Sequence, residues 1–201
     1  MLIQDKLNKL RNKRGFTLVE LMIVVAIIGV LAALAIYGVR KYLSNAKTAE
    51  ARMAIGRIAK DATVAYEKEK TDDGVIALRG TANIAHSLCE SAALVPLLAT
   101  DIQNKKYQSS PVDWNGTGWN CLKFTMNDPQ YFQYAYTAVQ AAGFGPGLAA
   151  AVGDSFNVEA HGDLDGDGNV STFSLPAEIQ DGSGEAVLTL AAAVTETNAE
   201  E

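Results

Sequence analysis

The chain is poor in the groups from which most catalysis is built. Two histidines, His86 and His161, and two cysteines, Cys89 and Cys121, stand in 201 residues. Neither histidine has the spacing of a metal-ligand set or of a nucleophile and its base. No catalytic constellation results, and an enzyme is not expected. Basic charge is scarce beyond the first 15 residues, where Lys6, Lys9, Arg11, Lys13 and Arg14 face only Asp5. That start is net +4, so a total of −6 leaves −10 for residues 16–201. So acidic a remainder has no patch to neutralise phosphates, which argues against nucleic acid as a partner. Disorder is not indicated either: 48% apolar and 20% charged residues suit one folded domain plus a short extra element. The cysteine pair leaves two fates open, a disulfide in an oxidising compartment or two free thiols in a reducing one.

The chain does have a long apolar run. From Leu18 to Ile36 the only charged residue is Glu20. Extended by Phe16, Thr17 and Tyr37 to Val39, a helix here reaches about 36 Å at ~1.5 Å per residue, enough to cross a ~30 Å hydrocarbon core. Five basic residues precede the run and only Arg40 and Lys41 closely follow it. The positive-inside bias then keeps the N-terminus cytoplasmic and exports the residues beyond Tyr42. A secretory signal peptide or a plain signal anchor has similar hydropathy, but "AIYGVRKY" is a poor small-x-small cleavage site. Neither alternative accounts for Glu20, because a carboxylate inside an apolar span is costly and signals a partner.

Arg14-Gly15-Phe16-Thr17-Leu18-Val19-Glu20, within "KRGFTLVELMIVVAIIGVLAALAI", resembles the prepilin signature of type IV pilins and pseudopilins over some 24 residues. The resemblance implies that residues 1–15 are a leader, and that a prepilin peptidase cuts between Gly15 and Phe16 and methylates the new Phe16 amine. It also implies that Glu20 pairs with the Phe16 ammonium of a neighbouring subunit in a filament, where removal of either charge orphans the other. The implied function is that of the major structural subunit of a type IV pilus, a helical homo-oligomer for adhesion or motility. Such a subunit resides in the inner membrane with its head on the periplasmic side, meets an assembly platform there, and ends in an extracellular pilus. A pseudopilin or minor pilin of a type II secretion or competence system shares the signature. An electron-conducting filament would draw on Phe16, Tyr37, Tyr42 and Tyr66. The chain departs from the family in having Tyr37 where many pilins have proline, and in placing Cys121 80 residues from its last residue.

Beyond Tyr42 the helical pattern continues to Lys70. Ala46, Ala49, Met53, Ile55, Ile58, Ala62 and Ala65 form an apolar stripe opposite Lys47, Glu50, Arg57, Lys60 and Asp61. "TDDGV" at 71–75 ends one helix of about 55 residues, about 80 Å long. Short aromatic and β-branched runs, "CLKFTM" (121–126), "YFQYAYTAV" (131–139), "SFNVEAHG" (155–162) and "VSTFSL" (170–175), predict an antiparallel sheet of about four strands. "VLTLAAAV" (187–194) reads as a strand or a short helix. Between helix and sheet, Ile84, Leu88, Leu94, Leu97 and Leu98 suggest one or two short helical turns. The fold class is α+β. Its divisions are a leader (1–15), an apolar helix (16–40), an amphipathic helix (41–70), a connecting region (71–120) and a sheet-rich head (121–201). Export favours a disulfide between Cys89 and Cys121, which would pin the connecting region to the sheet.

One loop has metal-like spacing. "HGDLDGDGNVSTF" sets Asp163, Asp165, Asp167 and Asn169 at alternate positions, with Gly166 and Gly168 between them. This resembles the first half of a calcium loop, although position twelve is Ser174 and not a glutamate. A hairpin turn rich in Gly and Asp explains the same residues without an ion. No other cofactor is expected. Asn115-Gly116-Thr117 matches a glycosylation sequon and is equally well explained as a turn.

Overall fold

The computed structural model describes residues 15–68, 86–144 and 148–199. Two compact units divide the chain, one up to Leu43 and one from Ser44. Helix α1, Leu18–Glu67, contributes to both. The expected stop at 71–75, the leader up to Arg14, and Ile84 lie outside the described residues.

In the second unit α1 turns Thr48, Ala51, Ala54, Ile55, Ile58, Ala59, Ala62, Ala65 and Tyr66 inward. This face is rotated from the expected stripe, since Met53 is 71% exposed and Ala46 is also exposed. Hydrogen bonds to the sheet fix the rotation. Glu50 Oε1 accepts the Tyr131 backbone N–H at 2.7 Å and the Tyr134 hydroxyl at 3.4 Å, while the Tyr66 hydroxyl donates to the Ala186 carbonyl at 3.3 Å. Small alanines on the helix leave room for large rings on the sheet. Tyr134, Tyr136, Phe132, Phe156 and Phe173 are all buried and join the helix residues in one core.

The sheet is antiparallel and larger than the four expected strands. Its order is β1 (Ala92–Val95), β4 (Gln133–Val139), β5 (Ser155–Gly162), β6 (Ser171–Asp181), β7 (Ala186–Leu190), with β8 (Thr195–Thr197) also pairing β6. Strand β6 is long enough for β7 to pair residues 177–181 and β8 to pair residues 172–174. A separate ribbon joins β2 (Tyr107–Gln108) to β3 (Pro129–Gln130). The expected strands at 131–139, 155–162 and 170–175 are present, and the ambiguous 187–194 run contains strand β7.

Two expectations fail around the cysteines. Residues 121–126 are not a strand: helix α2, Thr117–Leu122, ends there, with Lys123 in the left-handed region at φ 56°. Leu94 lies in strand β1 and not in a helical turn. The aromatic content that looked β-like instead builds a small core. Trp114 packs edge-on against Trp119 at 4.9 Å and against Phe124 at 5.1 Å. Their indoles are satisfied by single carbonyls, Trp114 Nε1 donating to Met126 and Trp119 Nε1 to Ala93. Gly118 permits this approach, because a Cβ there would lie 2.7 Å from the Ala92 Cβ and 2.5 Å from the Glu90 carbonyl.

Buried glutamines organise the loops. Gln130 Nε2 donates to the Val95 and Phe132 carbonyls, Gln133 Nε2 donates to the Pro96 carbonyl, and Gln140 Oε1 accepts the Leu88 N–H. These bonds satisfy carbonyls and an N–H at strand ends and in loops.

Burial pushes the Glu50 carboxyl above its ordinary value, and the Tyr131 N–H, Lys106 and the Tyr134 hydroxyl only partly oppose this. The fold therefore favours the protonated form. Stability from Glu50 is complete below the ordinary carboxylate pKa and falls as pH rises through the raised value. Glu50→Gln keeps an oxygen acceptor for Tyr131 without the charge. Urea melts of the full chain in detergent, at about pH 4 and pH 7, should show wild type losing more stability with rising pH than the variant does.

Candidate assembly site

The first unit has no interior of its own. Among the described residues from Phe16 to Leu43, every large apolar side chain is at least 48% exposed. The helix holding them is long and apolar enough to cross a membrane by length and composition. A continuous apolar surface of this kind needs a cover, either lipid or other chains.

At its start the polar groups are concentrated. Thr17 is the N-cap of α1: its Oγ1 accepts the Glu20 backbone N–H at 3.2 Å. Glu20 Oε2 in return accepts the Thr17 backbone N–H at 2.8 Å and the Thr17 hydroxyl at 2.7 Å. This is a reciprocal capping box, and it satisfies donors that a helix start in lipid could not otherwise pair. Its signal is present in the sequence as Thr-x-x-Glu before an apolar run, but a reading by hydropathy and charge passes over it. Phe16 precedes the cap and is 86% exposed. A Cβ on Gly15 would meet nothing within 4 Å, so the backbone between Gly15 and Phe16 is open to approach.

The other expected residues fall in the second unit. Cys89 and Cys121 form a disulfide with Cα atoms 5.8 Å apart, tying the segment before β1 to α2. A loop closed over 32 residues restricts the unfolded chain by about 4 kcal/mol in the chain-entropy account. Asp163, Asp165 and Asp167 each offer a carboxylate oxygen within 4.8 Å of the others, in the turn between β5 and β6. Asp163 is buried and already accepts Gly166 N–H, Gly168 N–H and the Gln103 side-chain amide. Asn169 lies beside them, its side-chain amide donating to Asp167 Oδ2 at 2.6 Å. His161 lies beside Glu159 and Thr172, and His86 beside the Tyr66 carbonyl. Asn115 follows a 3-10 turn.

Comparison with known proteins covers only a part of the chain. A family described as "Prokaryotic N-terminal methylation motif" matches residues 10–36. The type IV major alpha-pilin of Moraxella bovis is 46% identical over 54 residues, 26% of this chain and 34% of that protein. The type IV major pilin protein PilA of Myxococcus xanthus is 62% identical over 41 residues, 20% of this chain and 19% of that protein. The type IV major fimbrial protein FimA of Dichelobacter nodosus is 58% identical over 38 residues, 19% and 24% of the two chains. The chain thus spans about a third or less of the length of these curated relatives. No solved structure matches. Residues 10–36 match the methylation motif, and the long helix that carries most of it packs its second half on an antiparallel sheet in a pilin-like α+β fold; where the sequences align, the chain is similar to type IV major pilins.

Thr17→Ala removes the acceptor for the Glu20 N–H but leaves the carboxylate. Loss of an N-cap of this type should speed hydrogen exchange of the Glu20 amide about fivefold. NMR of the full chain in micelles checks this, with amides near Ile28 unchanged as the control.

Proposed function

We propose that this chain is the major structural subunit of a type IV pilus, assembled through its N-terminal helix for surface adhesion or motility. The observation that carries the reading is the combination of an uncovered apolar helix with one carboxylate at its start. In this reading a prepilin peptidase removes residues 1–15 and methylates the Phe16 amine. The membrane covers the helix before assembly, an inner-membrane platform receives it, and neighbouring copies cover it afterwards in an extracellular filament. Names of the matched relatives support a major pilin over a pseudopilin or minor pilin of a secretion or competence system. An electron-conducting role has less support, since Tyr66 is buried in the head while Phe16, Tyr37 and Tyr42 are exposed on the first unit.

The carboxylate's role then changes with state. In the single subunit Glu20 closes the capping box onto Thr17, one residue from Phe16. In the filament its free valence accepts the Phe16 ammonium of a neighbour. Glu20→Val makes the helix more apolar, so insertion and cleavage should be normal. Incoming ammonium would nevertheless enter an apolar core without a counter-charge. With the variant as sole copy, mass spectrometry should find mature subunit beginning at N-methyl-Phe16 in the membrane, and sheared filaments should be nearly absent. Wild-type filament yield would sink the pairing.

A second reading covers the turn at 163–169. The proposal is that it takes a calcium ion through Asp163, Asp165 and Asp167, hard oxygen donors of the type calcium prefers, supported by their mutual closeness. Calcium at millimolar excess should raise the melting temperature of the full chain in detergent and EDTA should reverse the rise. Identical melts under both conditions would dispose of it.

A further inference from the structure

Two segments of the head carry the pattern Asn-x-Ser/Thr without a central proline, Asn115-Gly116-Thr117 and Asn169-Val170-Ser171. In exported chains this pattern is an acceptor for N-linked sugar: the asparagine amide is modified, and the hydroxyl two residues on is read with it. The sequence treats the two segments alike. The fold separates them.

At 169 both groups are engaged. Asp167 holds Asn169 twice, Oδ1 accepting its backbone N–H at 2.7 Å and Oδ2 its side-chain amide at 2.6 Å. Ser171 is fully buried and donates to the Gly162 carbonyl at 2.8 Å, opposite Gly162 where β5 pairs with β6. An enzyme reading that hydroxyl would have to open the β5–β6 hairpin.

At 115 both groups are accessible. Asn115, Gly116 and Thr117 are exposed, and among the described residues neither the Asn115 amide nor the Thr117 hydroxyl makes a hydrogen bond. Only the backbone of Asn115 is engaged: its N–H donates to the Val112 carbonyl at 3.3 Å, and its carbonyl accepts the Asn120 side-chain amide at 2.9 Å. Gly116 is extended, at φ −65° and ψ 155°, and a Cβ there would meet only the Trp119 ring, at 3.7 Å. The site is also firmly based. A 3-10 turn with a Ser110–Asp113 capping box precedes Asn115, and Trp114 beside it is buried against Trp119 and Phe124. A group attached at 115 therefore sits at a set place on the head surface.

We propose that Asn115 is a site of N-glycosylation, with an oligosaccharide carried on a polyprenyl diphosphate as the donor and a membrane-bound oligosaccharyltransferase as the partner. The Asn115 Nδ2–C1 bond forms and the C1–O bond to the diphosphate breaks. The diphosphate leaves with the electron pair, and one amide proton passes to a base of the transferase. An amide nitrogen donates hydrogen bonds and does not accept them, so its lone pair needs an enzyme to be made available. The inference rests on export of the head, as in the proposed function, and adds a modification of its surface.

Mass spectrometry of the full chain from its native cells, on membrane and sheared-filament fractions, tests it. Electron-transfer fragmentation should locate a glycan on Asn115. Asn115→Gln and Thr117→Ala should each abolish it, Thr117→Ser should retain it, and Asn169→Gln should leave it unchanged. An intact Cys89–Cys121 disulfide in every variant shows that the head was exported and folded. Unmodified Asn115 in wild-type chains with that disulfide formed overturns the proposal and leaves export standing. Unmodified Asn115 with free thiols overturns both. A glycan found only on Asn169 or on a Ser or Thr hydroxyl also overturns the proposal. Asn115 glycosylated in the membrane fraction of cells that make no filaments supports it and counts against the filament reading alone.

Discussion

Among the described residues, the large apolar side chains of the first half of α1 are left exposed, and that constraint shapes the sequence of the helix. Burial of apolar surface is the main favourable term in folding. Yet from Phe16 to Leu43 this chain leaves that surface open. A surface of this kind calls for an apolar cover, and in the proposed function the same side chains must suit both lipid and neighbouring copies. Long aliphatic residues meet that demand because dispersion and exclusion of water make no directional requirement. A polar group must be the exception and must sit where it can be paired. Glu20 occupies the first turn, within reach of Thr17, where it answers the unpaired backbone donors of the helix start.

After residue 44 the helix solves its packing differently. Alanines alternate with Ile55 and Ile58 on the inner face, and much of the bulk comes from sheet aromatics such as Tyr134 and Phe173. Burial raises the pKa of both Tyr134 and Tyr136, so their hydroxyls remain protonated inside the core, that of Tyr134 donating to Glu50. One helix thus carries two surfaces of opposite design, a bulky one facing outward and a flat one receiving bulk.

Alternation made strands β5 and β6 legible, because in them one face is buried more than the other, whereas β4, buried on both faces at its start, showed itself by its run of aromatic and β-branched residues. The 111–126 segment was illegible for the opposite reason. Trp114, Trp119 and Phe124 meet in space from two short helical turns and a loop, so no single period describes them. Strand β1 was hidden because four residues of "AALV" carry no alternation. The Met53 error arose from choosing an apolar stripe without knowing that Glu50 turns inward to the Tyr131 N–H. At the candidate site, the motif residues and the cysteine pair could be read directly. The local partner of Glu20 could have been read as well, from Thr17 three residues earlier. Spatial relations such as Gln103 meeting Asp163 across 60 positions needed the fold.

Arg52 and Glu196 meet through two hydrogen bonds of 2.6 and 2.9 Å across 144 positions of chain, and β8 lies on β6 beside them. Arg52 also stands over the Phe173 ring at 5.7 Å and holds the Glu196 carboxyl below its ordinary value. A polypeptide is made from its N-terminal side, so the helical side of this clasp is delivered long before its counterpart. Until residue 196 has emerged, α1 and the early strands can gather, but one end of the β6 edge stays unpaired. Closure of the head therefore reports that the chain has been delivered at least to β8, and a subunit halted earlier carries an open strand edge by which it can be told apart.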